Sequence, residues 1–133
     1  MTLDTLDWSP RLAMGHPEID EQHRMLISMI RELGDRIDSG KERQGVLDAL
    51  QGMMAYAVTH FEQEEEMMEE AGWEGLARHE GLHAEFMWRT GDFDALVKDD
   101  YAKASSDVFN YLLHWLVEHI QVEDRSFFGR TAP

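Results

Sequence analysis

The chain of 133 residues contains no cysteine. That absence removes disulfide frameworks, zinc ribbons, thiolate-held iron–sulfur clusters and a cysteine nucleophile together. Any metal must be held by nitrogen and oxygen. Basic residues are also scarce: 12 Lys and Arg against 27 Asp and Glu leave a formal charge of -15. A field of that sign repels phosphate backbones and anionic lipid surfaces, which argues against nucleic-acid binding. No apolar run approaches the roughly 20 residues of a membrane span, and the N-terminus has neither the basic region nor the apolar stretch of a secretory leader. A soluble cytoplasmic protein without membrane insertion is therefore expected, with a monomer favoured. The length suits one domain over residues 1–133, able to bury about two thirds of its unfolded surface.

Helix-breaking residues are few, with three prolines and ten glycines, and long segments of helical apolar period dominate. The expected fold class is all-α, an antiparallel up-down-up-down four-helix bundle preceded by an N-terminal arm over residues 1–16 that includes Trp8 and Leu12. The first helix is expected over about 17–38, opened by Pro17 and carrying Ile19, His23, Leu26, Ile27, Ile30, Leu33 and Ile37 on its apolar stripe. The second runs over about 41–71, through Leu47, Leu50, Met53, Ala57, His60, Phe61, Glu64 and Met68, and Gly72 suits its C-terminal cap. The third is expected over about 73–91 with His79, His83, Phe86 and Thr90 on one face. Residues 92–103 read as a connection carrying at most a turn or two of helix, and the fourth helix covers about 104–127 with Val108, Leu112, Trp115, Leu116, His119 and Ile120 inward.

Every one of the four helices thus carries imidazole on its buried face: His23, His60, the pair His79 and His83, and His119. One buried histidine is ordinarily a core residue bonded to a carbonyl. Five facing one bundle interior are different, because each unsatisfied buried polar group costs about 1–3 kcal/mol and helix backbones offer few free partners. A shared metal centre satisfies them together. Glu64 lies four residues after His60, hence on the same helix face. Asp124 lies five after His119, about 140° round a regular helix, so both can reach one centre only if that helix is locally distorted or turns off its axis there. Five imidazoles and two carboxylates suit iron and are enough for two ions.

The segments Asp20-Glu21-Gln22-His23, His60-Phe61-Glu62-Gln63-Glu64, His79-Glu80-Gly81-Leu82-His83 and Trp115-Leu116-Val117-Glu118-His119-Ile120 followed by Asp124, in that order, resemble the hemerythrins, specifically the bacterial single-domain type. The resemblance covers nearly the whole chain, including Trp8 and Gly15. It implies two unequal irons bridged by an oxo or hydroxo group. His79, His83 and His119 would hold one, His23 and His60 the other, and Glu64 and Asp124 would bridge both. Dioxygen would bind at an open position on the second iron. The implied function is reversible dioxygen binding for carriage, storage or delivery, with an oxygen-consuming oxidase as a partner. The alternative use of the same centre is sensing or scavenging of oxygen or nitric oxide. The protein is not expected to be an enzyme, beyond weak peroxidase-like turnover. Leu26, Phe61, Met68, Trp115, Leu116 and Ile120 are spaced to lie within a turn of the ligands and to form the apolar wall of the oxygen pocket, a role that coincides with ordinary core packing.

Two other metal classes compete. His79-Glu80-Gly81-Leu82-His83 matches the zinc metallohydrolase pattern H-E-x-x-H, in which the glutamate is the general base, but that reading leaves His23, His60, Glu64 and Asp124 unexplained. A ferritin-like oxidase or iron store needs two Glu-x-x-His pairs, and only Glu80 with His83 supplies one. His16 is expected to be exposed or to cap the first helix, His114 to face away, and Glu62, Glu65, Glu66, Glu69 and Glu70 to form a solvated face. The nine methionines are expected to fill core gaps rather than bind copper.

Overall fold

In a computed structural model, residues 12–38, 43–99 and 101–129 are described. Trp8 and most of the arm, and the first two residues expected of the second helix, Lys41 and Glu42, lie outside them. Four long helices follow in order: α1 Pro17–Asp38, α2 Arg43–Glu70, α3 Leu76–Asp99 and α4 Tyr101–Glu118. A π-helical turn, His119–Asp124, and a short α5, Arg125–Phe128, continue directly from α4. Among the described residues there is no strand. α1 packs on α2, α2 on α3, α3 on α4, and α4 closes back on α1, which is the all-α four-helix bundle expected of long amphipathic segments joined by short turns.

Local chemistry sets the helix ends. His16 sits before Pro17 and its ring Nδ1 accepts a hydrogen bond of 3.2 Å from the Ile19 N–H, capping one of the amides that a helix start leaves without a partner. Asp20 in the same turn accepts from the Met14 N–H at 2.7 Å, tying the incoming chain to α1 so that Leu12 and Met14 are buried. At the end of α2, Gly72 adopts φ 62°, the left-handed conformation that costs an L residue about 1–2 kcal/mol. The N–H of Trp73 then bonds the Met68 carbonyl and that of Gly72 the Glu69 carbonyl, each at 3.0 Å, a Schellman turn that reverses the chain into α3.

One boundary differs from expectation. The segment 92–103 is largely helical: α3 continues through Gly91 to Asp99 and α4 begins at Tyr101. An exposed glycine costs a helix only about 1 kcal/mol, and Phe93 beyond it packs on the core, with its ring centroid 5.2 Å from that of Tyr111. Tertiary packing on one face outweighs the break that Gly91 suggests.

The core runs the length of the bundle. Ile30, Leu33, Val46, Leu47, Leu50, Met53, Val108, Leu112 and Leu113 are buried within it. His23, His60, Glu64, His79, His83, His119 and Asp124 are buried too, at positions on the helix faces where leucines would otherwise stand.

Candidate metal centre

The seven residues singled out in the sequence come together. Each offers a ligand atom to one of two overlapping groups, Glu64, His79, His83, His119 and Asp124, and His23, His60, Glu64 and Asp124, within which the atoms lie within 4.8 Å of one another. α1 supplies His23, α2 His60 and Glu64 one turn apart, and α3 His79 and His83 one turn apart. His119 and Asp124 are the first and last residues of the π turn. That turn resolves the mismatch between them. Hydrogen bonding to the fifth rather than the fourth residue stacks positions five apart on one face, and such turns recur at functional sites.

Each carboxylate splits its two oxygens between the groups. Glu64 Oε1 lies 3.3 and 3.2 Å from Nε2 of His79 and His83, whereas its Oε2 lies 3.2 and 3.1 Å from Nε2 of His23 and His60. Asp124 repeats the pattern, with Oδ1 3.0 and 3.1 Å from His79 and His119 and Oδ2 3.0 Å from His23. Three imidazoles with two oxygens therefore face one point, and two imidazoles with two oxygens face another.

Burial and charge oppose each other here. Burial disfavours a charged His23 or His79, but close contacts with Asp124 and Glu64, reinforced by their charge, outweigh it and raise each imidazole from 6.5 to about 9. Burial likewise raises the carboxyls, yet the His60 charge and contacts with His23, His60 and His79 hold Glu64 well below its usual range. Asp124 is also lowered, against burial and the Glu64 charge, chiefly by His119. Both carboxylates are thus anionic at neutral pH.

A cation fits these residues. Both Asp124 oxygens are buried without a hydrogen-bond partner although three imidazole nitrogens approach within 3.1 Å. His23 and His79 Nε2 also lie within hydrogen-bond geometry of Glu64, at 3.2 and 3.3 Å, so the orphaned oxygens are those of Asp124, and a common ion would satisfy them together with the imidazoles. Two imidazoles are also oriented from behind. His60 Nδ1 donates to Gln22 Oε1 at 2.6 Å, and His83 Nδ1 donates to Glu65 Oε2 at 2.7 Å, which leaves each Nε2 lone pair directed inward.

The surrounding residues divide into those placed against the imidazoles and those in the wider core. The Phe61 ring stacks on His83 with centroids 3.9 Å apart and planes 8° apart, and Trp115 stacks on His119 at 4.3 Å and 11°. Both therefore stand against the three-imidazole group. Leu26, Met68, Leu116 and Ile120 are buried in the bundle core. Glu80 is exposed, so neither the hydrolase's general base nor a ferritin-like Glu-x-x-His pair reaches the centre from α3. His114 is exposed, as expected, and Glu65 departs from the solvated face expected of it because its side chain bends back to His83. Gln22, Gln63, Glu65, Trp73 and Phe86 were not assigned to the site from the sequence. Trp73 meets His79 edge to face at 5.9 Å, and Phe86 meets Trp115 at 4.3 Å. Their partners lie on other helices, so only adjacency to a ligand position hinted at Gln22 and Glu65.

An antiparallel four-helix bundle that buries five histidines and two carboxylates at one level belongs to the class of non-haem metal proteins that hold their ions between helices. Comparison with known proteins names the family. Residues 14–131 match the model of the hemerythrin HHE cation binding domain. A bacteriohemerythrin of Stenotrophomonas maltophilia is 30% identical over 122 residues, covering 92% of this chain and 78% of that protein. The bacteriohemerythrin of Methylococcus capsulatus is 27% identical over 81% of this chain and 82% of its own, and a hemerythrin alpha subunit of Lingula anatina is 28% identical over 92% of each. A crystal structure of a hemerythrin with a leucine replaced by tyrosine superposes with a TM-score of 0.77 at 25% identity, covering 85% of this chain and 86% of that one. The chain belongs to the hemerythrin family, and so to the non-haem iron proteins that bind oxygen. Among the described residues no helix is long and apolar enough to cross a membrane.

Proposed function

We propose that this chain binds dioxygen reversibly at a pair of iron ions, serving carriage, storage or delivery. His79, His83 and His119 would hold one ion and His23 and His60 the other, with Glu64 and Asp124 shared. The observation that supports this most directly is the division of carboxylate oxygens, Oε1 and Oδ1 toward three imidazoles and Oε2 and Oδ2 toward two. Five protein donors face one position and four the other, so the second retains the greater room for an external ligand. The iron pair, when bound, supplies the electrons that let dioxygen bind reversibly.

What the chain's own residues do follows from burial. All seven polar side chains are at most 4% exposed, and Leu26, Phe61, Met68, Trp115, Leu116 and Ile120, which lie in or against the bundle core, would form the wall that keeps bulk water from the centre. Exclusion of water and protons slows the irreversible oxidation that competes with reversible binding. Glu64 and Asp124 remain ionised and bring two negative charges to balance two cations, while the neutral imidazoles add none.

The test is iron analysis with optical spectra of the purified protein in air, after reduction without air, and after readmission of oxygen. Two irons per chain and a visible spectrum that appears with oxygen and disappears on its removal are expected. One zinc per chain in a colourless protein overturns the proposal.

A further inference from the structure

Glu64 and Asp124 serve both groups alike, so they do not distinguish them. The residues behind the imidazoles do. On the three-imidazole side, His83 Nδ1 donates to a carboxylate, Glu65 Oε2, at 2.7 Å. On the two-imidazole side, His60 Nδ1 donates at 2.6 Å to an amide, Gln22 Oε1. Gln22 is itself set by Gln63, whose side-chain carbonyl accepts from Gln22 Nε2. That bond turns the oxygen of Gln22, rather than its NH2, toward His60. If Gln22 were reversed, its NH2 would call for the lone pair of Nδ1, the proton would move to Nε2, and His60 could no longer ligate.

We infer that Glu65 and the Gln63–Gln22 pair are positioning residues that give the two metal positions unequal affinity, so that the three-imidazole position fills first. The inference rests on the two-ion reading above. A carboxylate behind a ligating imidazole raises the basicity of the opposite nitrogen, and such partners change metal affinity by about 10–100-fold. It also places a further negative charge near the cation, which a neutral amide does not. The three-imidazole position has one nitrogen more to begin with, and Glu65 widens the gap. Gln22 and Gln63 fix the tautomer of His60 without adding charge, which keeps the second position weaker and its ion the last to arrive and the first to leave.

The test is stepwise titration of metal-free wild type, Glu65→Gln and Gln22→Leu with cobalt(II) under nitrogen, against a coloured competing chelator. Wild type is expected to take up two ions in two resolved steps. Glu65→Gln should weaken the first step by about 10–100-fold and leave the second within about threefold. Gln22→Leu should do the reverse, weakening the second step alone, an opposite pattern that general loss of structure does not produce. Thermal unfolding of the metal-free variants provides the check on folding, and nitrogen-15 spectra of the histidines provide a second readout: the His83 proton stays on Nδ1 in wild type and shifts between nitrogens in Glu65→Gln. A wild type that takes up two ions beside a Glu65→Gln with an unchanged first step, or with both steps lowered equally, overturns the inference alone. A wild type that takes up fewer than two ions overturns it together with the reading on which it rests.

Discussion

Loading of this centre should release protons in a countable number. In the metal-free chain His23 and His79 are raised from 6.5 to about 9 by Asp124 and Glu64, so at pH 7.5 each is mostly protonated. A metal ligand must give up that proton. Filling the centre at pH 7.5 should therefore expel about two protons per chain from these two groups, and the logarithm of apparent affinity should climb with a slope of about two between pH 7.5 and 8.5, flattening above about 9.5. The same shifts govern the metal-free fold. Because the folded pKa lies above the unfolded one, the contribution of each imidazole is fully present below pH 6.5 and is lost as pH rises through about 9. Because both imidazoles draw on the same two carboxylates, their contributions overlap, and the stability of the metal-free chain should fall as pH rises from about 6.5 through about 9. Zinc titrations by calorimetry in buffers of differing ionisation enthalpy count the protons, and urea unfolding between pH 6 and 10 measures the stability. Fewer than about half a proton released per chain at pH 7.5 would refute the reasoning, because the imidazoles would then be neutral beforehand.

Four substitutions probe other parts of the structure. Leu116→Ala removes a 4% exposed side chain, should cost about 2–5 kcal/mol in chemical unfolding, and should accelerate decay of the oxygenated spectrum; an unchanged decay rate removes Leu116 from the water-excluding wall. Glu64→Gln takes an anionic donor from both positions at once, so both steps of metal uptake should weaken, and a variant in which only one step weakens would contradict the shared role. Glu80→Gln alters an exposed residue and should leave iron content and the oxygen-dependent spectrum as in wild type. Gly72→Ala forces an L residue to φ 62° and should destabilise the fold by about 1 kcal/mol without changing metal uptake.

The bundle was legible in the sequence because helical period is a local property. Ile19, His23, Leu26, Ile30 and Leu33 in α1, and Leu47, Leu50, Met53, Ala57 and Phe61 in α2, recur every three or four residues and are all buried. Gly72 marked a helix end for an equally local reason, since its φ of 62° suits glycine best. The extent of α3 was not legible. Gly91 suggests a stop, and what carries the helix past it is the contact of Phe93 with Tyr111 on α4, which no window of local sequence contains. Glu65 failed in the same way. Its position beside Glu64 resembles that of its exposed neighbour Glu66, and only the approach of His83 from α3 distinguishes it.

The pair His119 and Asp124 shows how a local misfit can carry information. On a regular helix, five residues separate side chains by about 140°, so an inward His119 implies an outward Asp124. An outward aspartate on an acidic protein is unremarkable, and helical period alone would discard it. The residue is needed only if the centre requires a second carboxylate with one oxygen for each ion, and then the backbone must depart from the α-helix between the two. The π turn over His119–Asp124 is that departure, leaving Asp124 buried and Val122 outward at 53% exposure. A π turn gives up regular α-helical bonding, a local cost that a bundle whose only requirement was packing would avoid. The distortion and the buried, partnerless carboxylate at its end are therefore one observation with one physical cause. The same turn gives a reason why replacing Asp124 by a leucine, though compatible with a helical core, would not relax α4 into an ordinary helix: Phe127 and Phe128 beyond it are already buried in that register.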